Sequence, residues 1–170
     1  MDINYLFWNT YRKGLFSEIG EIVKQNSVNV VILCEHDDPN CILLNSLNQI
    51  KPFNEIIEVI PVGKKIRIFS DLSFLSVIDI QDGWNFRIIK MELNDHNILL
   101  LGLVYIQSKR EGDEDTQFID STEISDEMSR TQDNLACQKM VICGDFNMNP
   151  FEKGMMIKNG FNVSAQYSAV

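Results

Sequence analysis

Cysteine is scarce in this chain: Cys34, Cys41, Cys137 and Cys143 are the only four, and none lies in a C-x-x-C spacing. That excludes a secreted disulfide scaffold and argues against a cysteine-based metal site; three of the four sit in or beside apolar runs, which predicts buried free thiols. No stretch approaches the roughly 18 to 20 uncharged apolar residues of a membrane span, so no membrane partner is expected. Met1-Asp2 leads straight into strand-like sequence without a signal-peptide pattern, which makes the cytoplasm the expected location. Internal repeats, low-complexity linkers and clusters of Lys and Arg are all missing. Histidine is limited to His36 and His96.

Basic charge is also in short supply, with 15 Lys and Arg against 24 Asp and Glu and a net charge of −9. Such a balance ordinarily disfavours a nucleic-acid partner, because phosphate backbones attract basic surfaces. The imbalance is local, however. Residues 111–127 hold eight acidic side chains and no Lys or Arg, and 24 less eight leaves 16 acidic against 15 basic residues elsewhere. The acidic segment predicts a mobile, solvated surface loop outside the core, followed by a helix towards Gln138.

What is present is material for one ordinary domain: 170 residues, 45% of them hydrophobic. Tyr5-Leu-Phe-Trp8 reads as a first strand that stops at Asn9. Phe16, Ile19, Ile22 and Val23 recur at helical spacing among polar residues and predict an amphipathic helix. Val28 to Cys34 is a β-branched run, apolar throughout, which predicts a central strand buried on both faces and ending at Glu35-His36-Asp37-Asp38-Pro39. From Phe53 the pattern becomes a series of short β-rich segments, 53–60, 65–70, 73–80, 85–92 and 97–105. They are separated by turn signals at Pro61-Val-Gly63, Asp71, Asp82-Gly83 and Asn94-Asp95-His96-Asn97, and so predict hairpins. Met140-Val-Ile-Cys143 is a further buried strand, closed by Gly144-Asp145-Phe146-Asn147. Phe151 to Gly160 then reads as a short helix capped by Gly160, and Phe161 to Val170 as the start of a further element. The layer logic is the α+β class: a mixed, largely antiparallel β-sandwich flanked by helices.

Strands thus end in Asn9, in Glu35 and in Asp145-x-Asn147. Strand ends from separate parts of a sandwich can converge on one rim, where carboxylate and amide oxygens suit a hard cation such as Mg²⁺. The residues also resemble the motifs of a known family. Phe7-Trp8-Asn9-Thr10 is similar to a first-strand "WN" motif and Val31-Ile32-Leu33-Cys34-Glu35 to a "hydrophobic strand, then (Q)E" motif. Leu103-Val104-Tyr105-Ile106-Gln107-Ser108-Lys109 resembles a "(V/N)(H/Y)(L/V)PSK" strand, and Cys143-Gly144-Asp145-Phe146-Asn147-Met148-Asn149-Pro150 resembles "GDFN(x)xP". Together, and in this order, they resemble the endonuclease/exonuclease/phosphatase superfamily of DNase I-like fold, over residues 3 to about 160.

The resemblance implies that Glu35 is the principal ligand of Mg²⁺ or Mn²⁺, with Asn9 and Asp145 beside it. It further implies that Asn9 hydrogen-bonds at the metal-phosphate rim, that Asp145 orients or deprotonates the attacking water, that Asn147 holds the phosphate or the nucleophile, and that Tyr105 donates to a phosphate oxygen. Tyr105 stands where many members have His, and Cys34 where Gln is frequent. The family's closing Ser-Asp-His motif has no match after Asn147, so residues 1–170 are expected to be a single domain of this type with an incomplete second half, lacking the C-terminal catalytic segment. His36 beside Glu35 reads as a strand-end turn residue, and His96 in a hairpin turn is assigned no role.

The function implied is a Mg²⁺-dependent phosphodiester hydrolase, foremost a nuclease with nucleic acid as partner. A phosphomonoesterase of a small phosphorylated molecule is the alternative within the fold. A catalytically silent binding module, meeting a partner protein through 111–127, is the alternative outside enzyme classes.

Overall fold

In a computed structural model the structure describes residues 3–38, 41–59, 66–71, 75–83, 85–93, 96–137 and 139–161. Eight strands and four helices follow one another among them: β1 (Tyr5–Asn9), α1 (Phe16–Gln25), β2 (Val30–Cys34), α2 (Ile42–Asn48), β3 (Asn54–Val59), β4 (Ile66–Ser70), β5 (Leu75–Asp82), β6 (Phe86–Leu93), β7 (Ile98–Tyr105), α3 (Glu114–Asn134), β8 (Met140–Asp145) and α4 (Lys153–Met156). The strands form two four-stranded sheets, ordered β1-β2-β4-β3 and β5-β6-β7-β8. Only β1 with β2 and β7 with β8 pair in parallel; the remaining pairs are antiparallel. The α+β sandwich expected from the sequence is the fold observed. Its hairpin series divides between the sheets, β3 and β4 closing the first while β5, β6 and β7 build the second.

Both parallel pairs are bridged by a helix, and each bridged unit has a strand buried on both faces. In β2, Val30, Ile32 and Cys34 face the core between the sheets, while Val31 and Leu33 pack beneath α1 and α2 with Ile19, Val23, Leu43 and Leu47. In β7, Leu99, Leu101, Leu103 and Tyr105 face the inter-sheet core, whereas Leu100 and Val104 pack with Ile124 and Met128 of α3. A strand covered on two sides gains nothing from polar alternation, which is why both read as continuous apolar runs. Full burial of each such aliphatic side chain stabilises by about 1.5–3 kcal/mol. The order of layers is therefore helix, sheet, sheet, helix.

The acidic segment departs from its expected form. Residues from Glu114 onward are the first turns of α3, a 21-residue helix, and Gln117, Ser121, Ile124, Met128 and Thr131 are buried along one side. Those positions step by four and three, the helical period, but most are small or polar, so hydropathy does not reveal the stripe. The acidic charge favours this end of the helix. Asp113 caps it by accepting from the Thr116 backbone N–H at 2.8 Å, and Glu114 and Asp115 sit where the helix dipole is positive.

Two smaller differences concern helices. The α2 helix carries only seven residues and no flanking helix signal in the sequence; Asp38 holds its start by accepting from the backbone N–H groups of Ile42 and Leu43 at 2.8 and 2.9 Å. The helix predicted from Phe151 is the four-residue α4. Cys34 and Cys137 are buried free thiols, Cys143 is half-buried and Cys41 is exposed. The turns expected at Pro61–Gly63 and at Asn94-Asp95, and the element expected after Phe161, lie outside the described residues. No helix among the described residues is long and apolar enough to cross a membrane.

Candidate active site

The C-terminal ends of the two parallel pairs meet at one end of the sandwich. Pairing continues past the strands there: Thr10 N–H donates to Cys34 O at 2.9 Å, Arg12 N–H to Glu35 O at 2.7 Å, and Ile106 N–H to Asp145 O at 2.9 Å. On β1 the residues facing the other sheet are Tyr5 and Phe7, and on β8 they are Val141 and Cys143. Asn9 and Asp145 are next in those same alternating series, where the apolar filling between the sheets stops. Their side chains bridge the gap, Asn9 Nδ2 donating to Asp145 Oδ2 at 3.0 Å across 136 residues of sequence.

Each partner in that bridge is held a second time. Asn9 Oδ1 accepts from Tyr11 N–H at 2.9 Å, and Asp145 Oδ1 accepts from Asn147 N–H at 3.2 Å. Asn147 in turn donates from Nδ2 to Ile106 O at 2.8 Å, which ties the loop after β8 to the end of β7. Gln117, 1% exposed, donates to both Gln107 O at 2.7 Å and Asn147 O at 3.0 Å. The helix that the acidic sequence conceals is thus a support of the rim.

Glu35 reaches the rim by a different device. Strand alternation alone would turn it away from the inter-sheet side that Cys34 occupies, but its φ of 50° breaks the extended pattern. Tyr11, Arg12 and Asn147 also have positive φ, at 50°, 58° and 48°. An L-residue held in this region is strained by about 1–3 kcal/mol, and such residues cluster where a site demands them. All four line one cleft of about 620 Å³, together with Asn9, Ser108, Arg110, Glu111 and Asp145.

Of the residues singled out in the sequence, Asn9, Glu35, Asp145 and Asn147 are brought together in that cleft. Tyr105 is not among those lining it. It pairs in register with Asp145 but is 1% exposed within the inter-sheet core. His36 is buried against Thr10 and the edge of the Phe16 ring; burial first, then the nearby Arg67 charge, lowers its pKa, with Asp38, Asp37 and Glu55 opposing. His96 is exposed and pairs with Glu92 at 2.7 Å. Arg12 and Arg110 are the additions that no local pattern announces: each belongs to a pair of adjacent basic residues, Arg12-Lys13 and Lys109-Arg110, a few positions beyond a strand end.

The cleft lining carries three carboxylates, Glu35, Glu111 and Asp145, against two guanidiniums, so by itself it disfavours an anion. A divalent cation would reverse that sign. Among the described residues no group of three or more His, Cys, Asp and Glu side chains stands ready to hold a metal. Glu35 and Asp145, with the amide oxygens of Asn9 and Asn147 in the same lining, fit a weakly chelated, largely hydrated Mg²⁺ and do not fit a closed zinc-type cage.

No family model matches the chain, and no curated protein sequence matches it. Solved structures do. The human Nocturnin catalytic domain with bound sulfate anion is similar with a TM-score of 0.66 at 13% identity, over 89% of this chain and 66% of that one. ANGEL2, a 2',3'-cyclic phosphatase in complex with adenosine-2',3'-vanadate, is similar with a TM-score of 0.62 at 13% identity, over 87% of this chain and 50% of that one. An endonuclease/exonuclease/phosphatase family protein from Bacteroides thetaiotaomicron is similar with a TM-score of 0.61 at 12% identity, over 88% and 64%. The fold is that of endonuclease/exonuclease/phosphatase structures. The chain spans between half and two-thirds of the length of these three.

Proposed function

We propose that this chain is a single endonuclease/exonuclease/phosphatase-type domain carrying the active site of a divalent-metal-dependent phosphodiester hydrolase, a nuclease. The observation that supports this most is the Asn9–Asp145 hydrogen bond, which joins the rims of both sheets around a cleft that also holds Glu35 and Asn147. Glu35 is the principal ligand for Mg²⁺ or Mn²⁺, with Asp145 and the remaining lone pair of Asn9 Oδ1 beside it. When bound, such an ion polarises the phosphoryl oxygen and offsets the charge that develops there.

The other steps belong to the chain's own side chains. Asp145 takes the proton of the attacking water, and the N–H donors from Asn9 and Asn147 fix the plane of its carboxylate. Asn147, one Nδ2–H engaged by Ile106 O, has its Oδ1 left to accept from the water and a second Nδ2–H left to donate to a phosphate oxygen. Tyr105, enclosed in the core beside Asp145, supports the rim from beneath.

The test is hydrolysis of supercoiled plasmid, an abasic-site oligonucleotide and p-nitrophenyl phosphate, each with Mg²⁺ and with EDTA. Nucleic-acid cleavage that requires Mg²⁺ and exceeds monoester turnover is the expected result. Preference for the monoester would favour a phosphomonoesterase. Failure on every substrate would remove the enzymatic reading and leave the binding module.

A further inference from the structure

Two basic residues line the cleft, Arg12 and Arg110, and each has a lysine beside it in the chain, Lys13 and Lys109. Lys109 donates to Glu152 at 2.5 Å, a hydrogen bond that raises its pKa, so its charge is already matched. Arg12 and Arg110 have no ion pair with another side chain among the described residues, and both line the cleft with Glu35 and Asp145. Their backbones are anchored. Arg12 sits at φ 58° with its N–H on Glu35 O, and Arg110 lies inside the turn closed by Glu111 N–H and Gly112 N–H on Ser108 O, at 2.8 and 3.0 Å. The two therefore rise from different sheets' loops onto one opening.

An unpaired guanidinium at a cleft already containing carboxylates has an obvious internal partner, yet neither forms such a pair here. A planar fork of donors suits a phosphate oxygen pair, bidentately, better than an ammonium does. We infer that Arg12 and Arg110 form a clamp for a second phosphate, one that neighbours the phosphate being cleaved. This rests on the proposed hydrolase reading and narrows its substrate class. The preferred ligand carries two phosphates one nucleoside apart, as in a nucleic-acid strand or a nucleoside bisphosphate, and a small molecule with a single phosphate leaves the clamp empty. Two basic side chains then serve where a basic tract is missing: they line one cleft and are 98 positions apart along the chain.

The experiment measures binding without turnover, so that it stands apart from the hydrolysis assay. Adenosine 3',5'-bisphosphate and adenosine 5'-monophosphate are titrated calorimetrically against wild type, Arg12→Ala, Arg110→Ala and the double variant, in Mg²⁺ at low and moderate salt. Charge-assisted hydrogen bonds predict a roughly tenfold or greater preference of wild type for the bisphosphate, falling with salt. Each single variant should lose part of that preference and the double variant all of it. Both side chains are exposed, so the variants are expected to fold, with the far-ultraviolet circular dichroism of wild type as control. Equal affinities of wild type for the two nucleotides, or a preference that survives in the double variant, would overturn the clamp. A preference that behaves as described in a chain with no hydrolysis would instead overturn only the hydrolase reading.

Discussion

Asp145→Asn is expected to lower Mg²⁺-dependent phosphodiester cleavage by about 10² to 10⁴, the usual contribution of a positioned general base. The substitution is nearly isosteric, but it removes the proton acceptor and also disturbs the rim. Asp145 accepts on both oxygens, from Asn9 Nδ2 and from Asn147 N–H. An amide offers one acceptor and one donor, so one of the two bonds becomes a donor facing a donor. Half-buried as the group is, the folding cost should be about 1–3 kcal/mol. The rate is to be measured at a temperature where urea titration shows the variant fully folded. A cleavage rate equal to wild type would show that Asp145 takes no proton and that any hydrolysis arises elsewhere.

Gly144→Ala is expected to be among the most damaging single-methyl additions in the chain. A Cβ at position 144 would lie 1.9 Å from Val104 O and 2.7 Å from Val104 C, both backbone atoms of the paired strand β7. No rotamer change relieves that contact, so β7 and β8 must separate locally. Overpacking costs about 1–3 kcal/mol where side chains can adjust, and a backbone clash belongs at or above the top of that range. The displacement falls one residue before Asp145, and a misplacement of about 1 Å costs on the order of 10² in rate. Chemical denaturation should show a clearly lowered midpoint, and activity should fall further than the population of folded chain explains. An unchanged midpoint would mean that the two strands are not as closely apposed as the structure places them.

The glycine in Gly144-Asp145 illustrates what the sequence could convey. Strands were legible wherever burial on two faces produced a continuous apolar run, as in Val30–Cys34 and Ile98–Tyr105. Glu35 was legible as a rim candidate because a polar side chain stops the buried β2 run, and Asn9 and Asp145 because they end the apolar runs of β1 and β8, although β8, expected to be buried, is half-buried with Ile142 exposed. A helix towards Gln138 was read; what could not be read was that it begins at Glu114, within the acidic segment, because its buried stripe consists of Gln117, Ser121 and Thr131 as much as of Ile124 and Met128. An interface that uses small and hydrogen-bonding side chains leaves no hydropathy period. The acidic charges also carry two meanings, solvated loop or helix N-terminus, and only the Asp113 cap decides between them.

The site shows the same division. Asn9 and Asp145 share the facing parity of Tyr5, Phe7, Val141 and Cys143, so their convergence follows from alternation once the two sheets are stacked. By that rule Tyr105 also follows Leu99, Leu101 and Leu103 into the core, and its enclosure there was available from the strand pattern. Glu35 was harder, since parity points it the wrong way and the φ of 50° that corrects it is a property of the fold. Arg12 and Arg110 were beyond reach, because nothing local relates a residue after β1 to one after β7.

The rim itself, as a place where a divalent cation meets Glu35, is tested most directly by binding. Mn²⁺ titrated by electron paramagnetic resonance, with Mg²⁺ competition, reports occupancy without requiring turnover. Wild type is expected to bind in roughly the millimolar range, as suits a largely hydrated ion on few carboxylates. Glu35→Gln should weaken that binding at least about tenfold, because it removes the principal charged ligand while keeping the side chain's length and the local backbone. Equal Mn²⁺ affinities in wild type and Glu35→Gln would contradict the account at its centre.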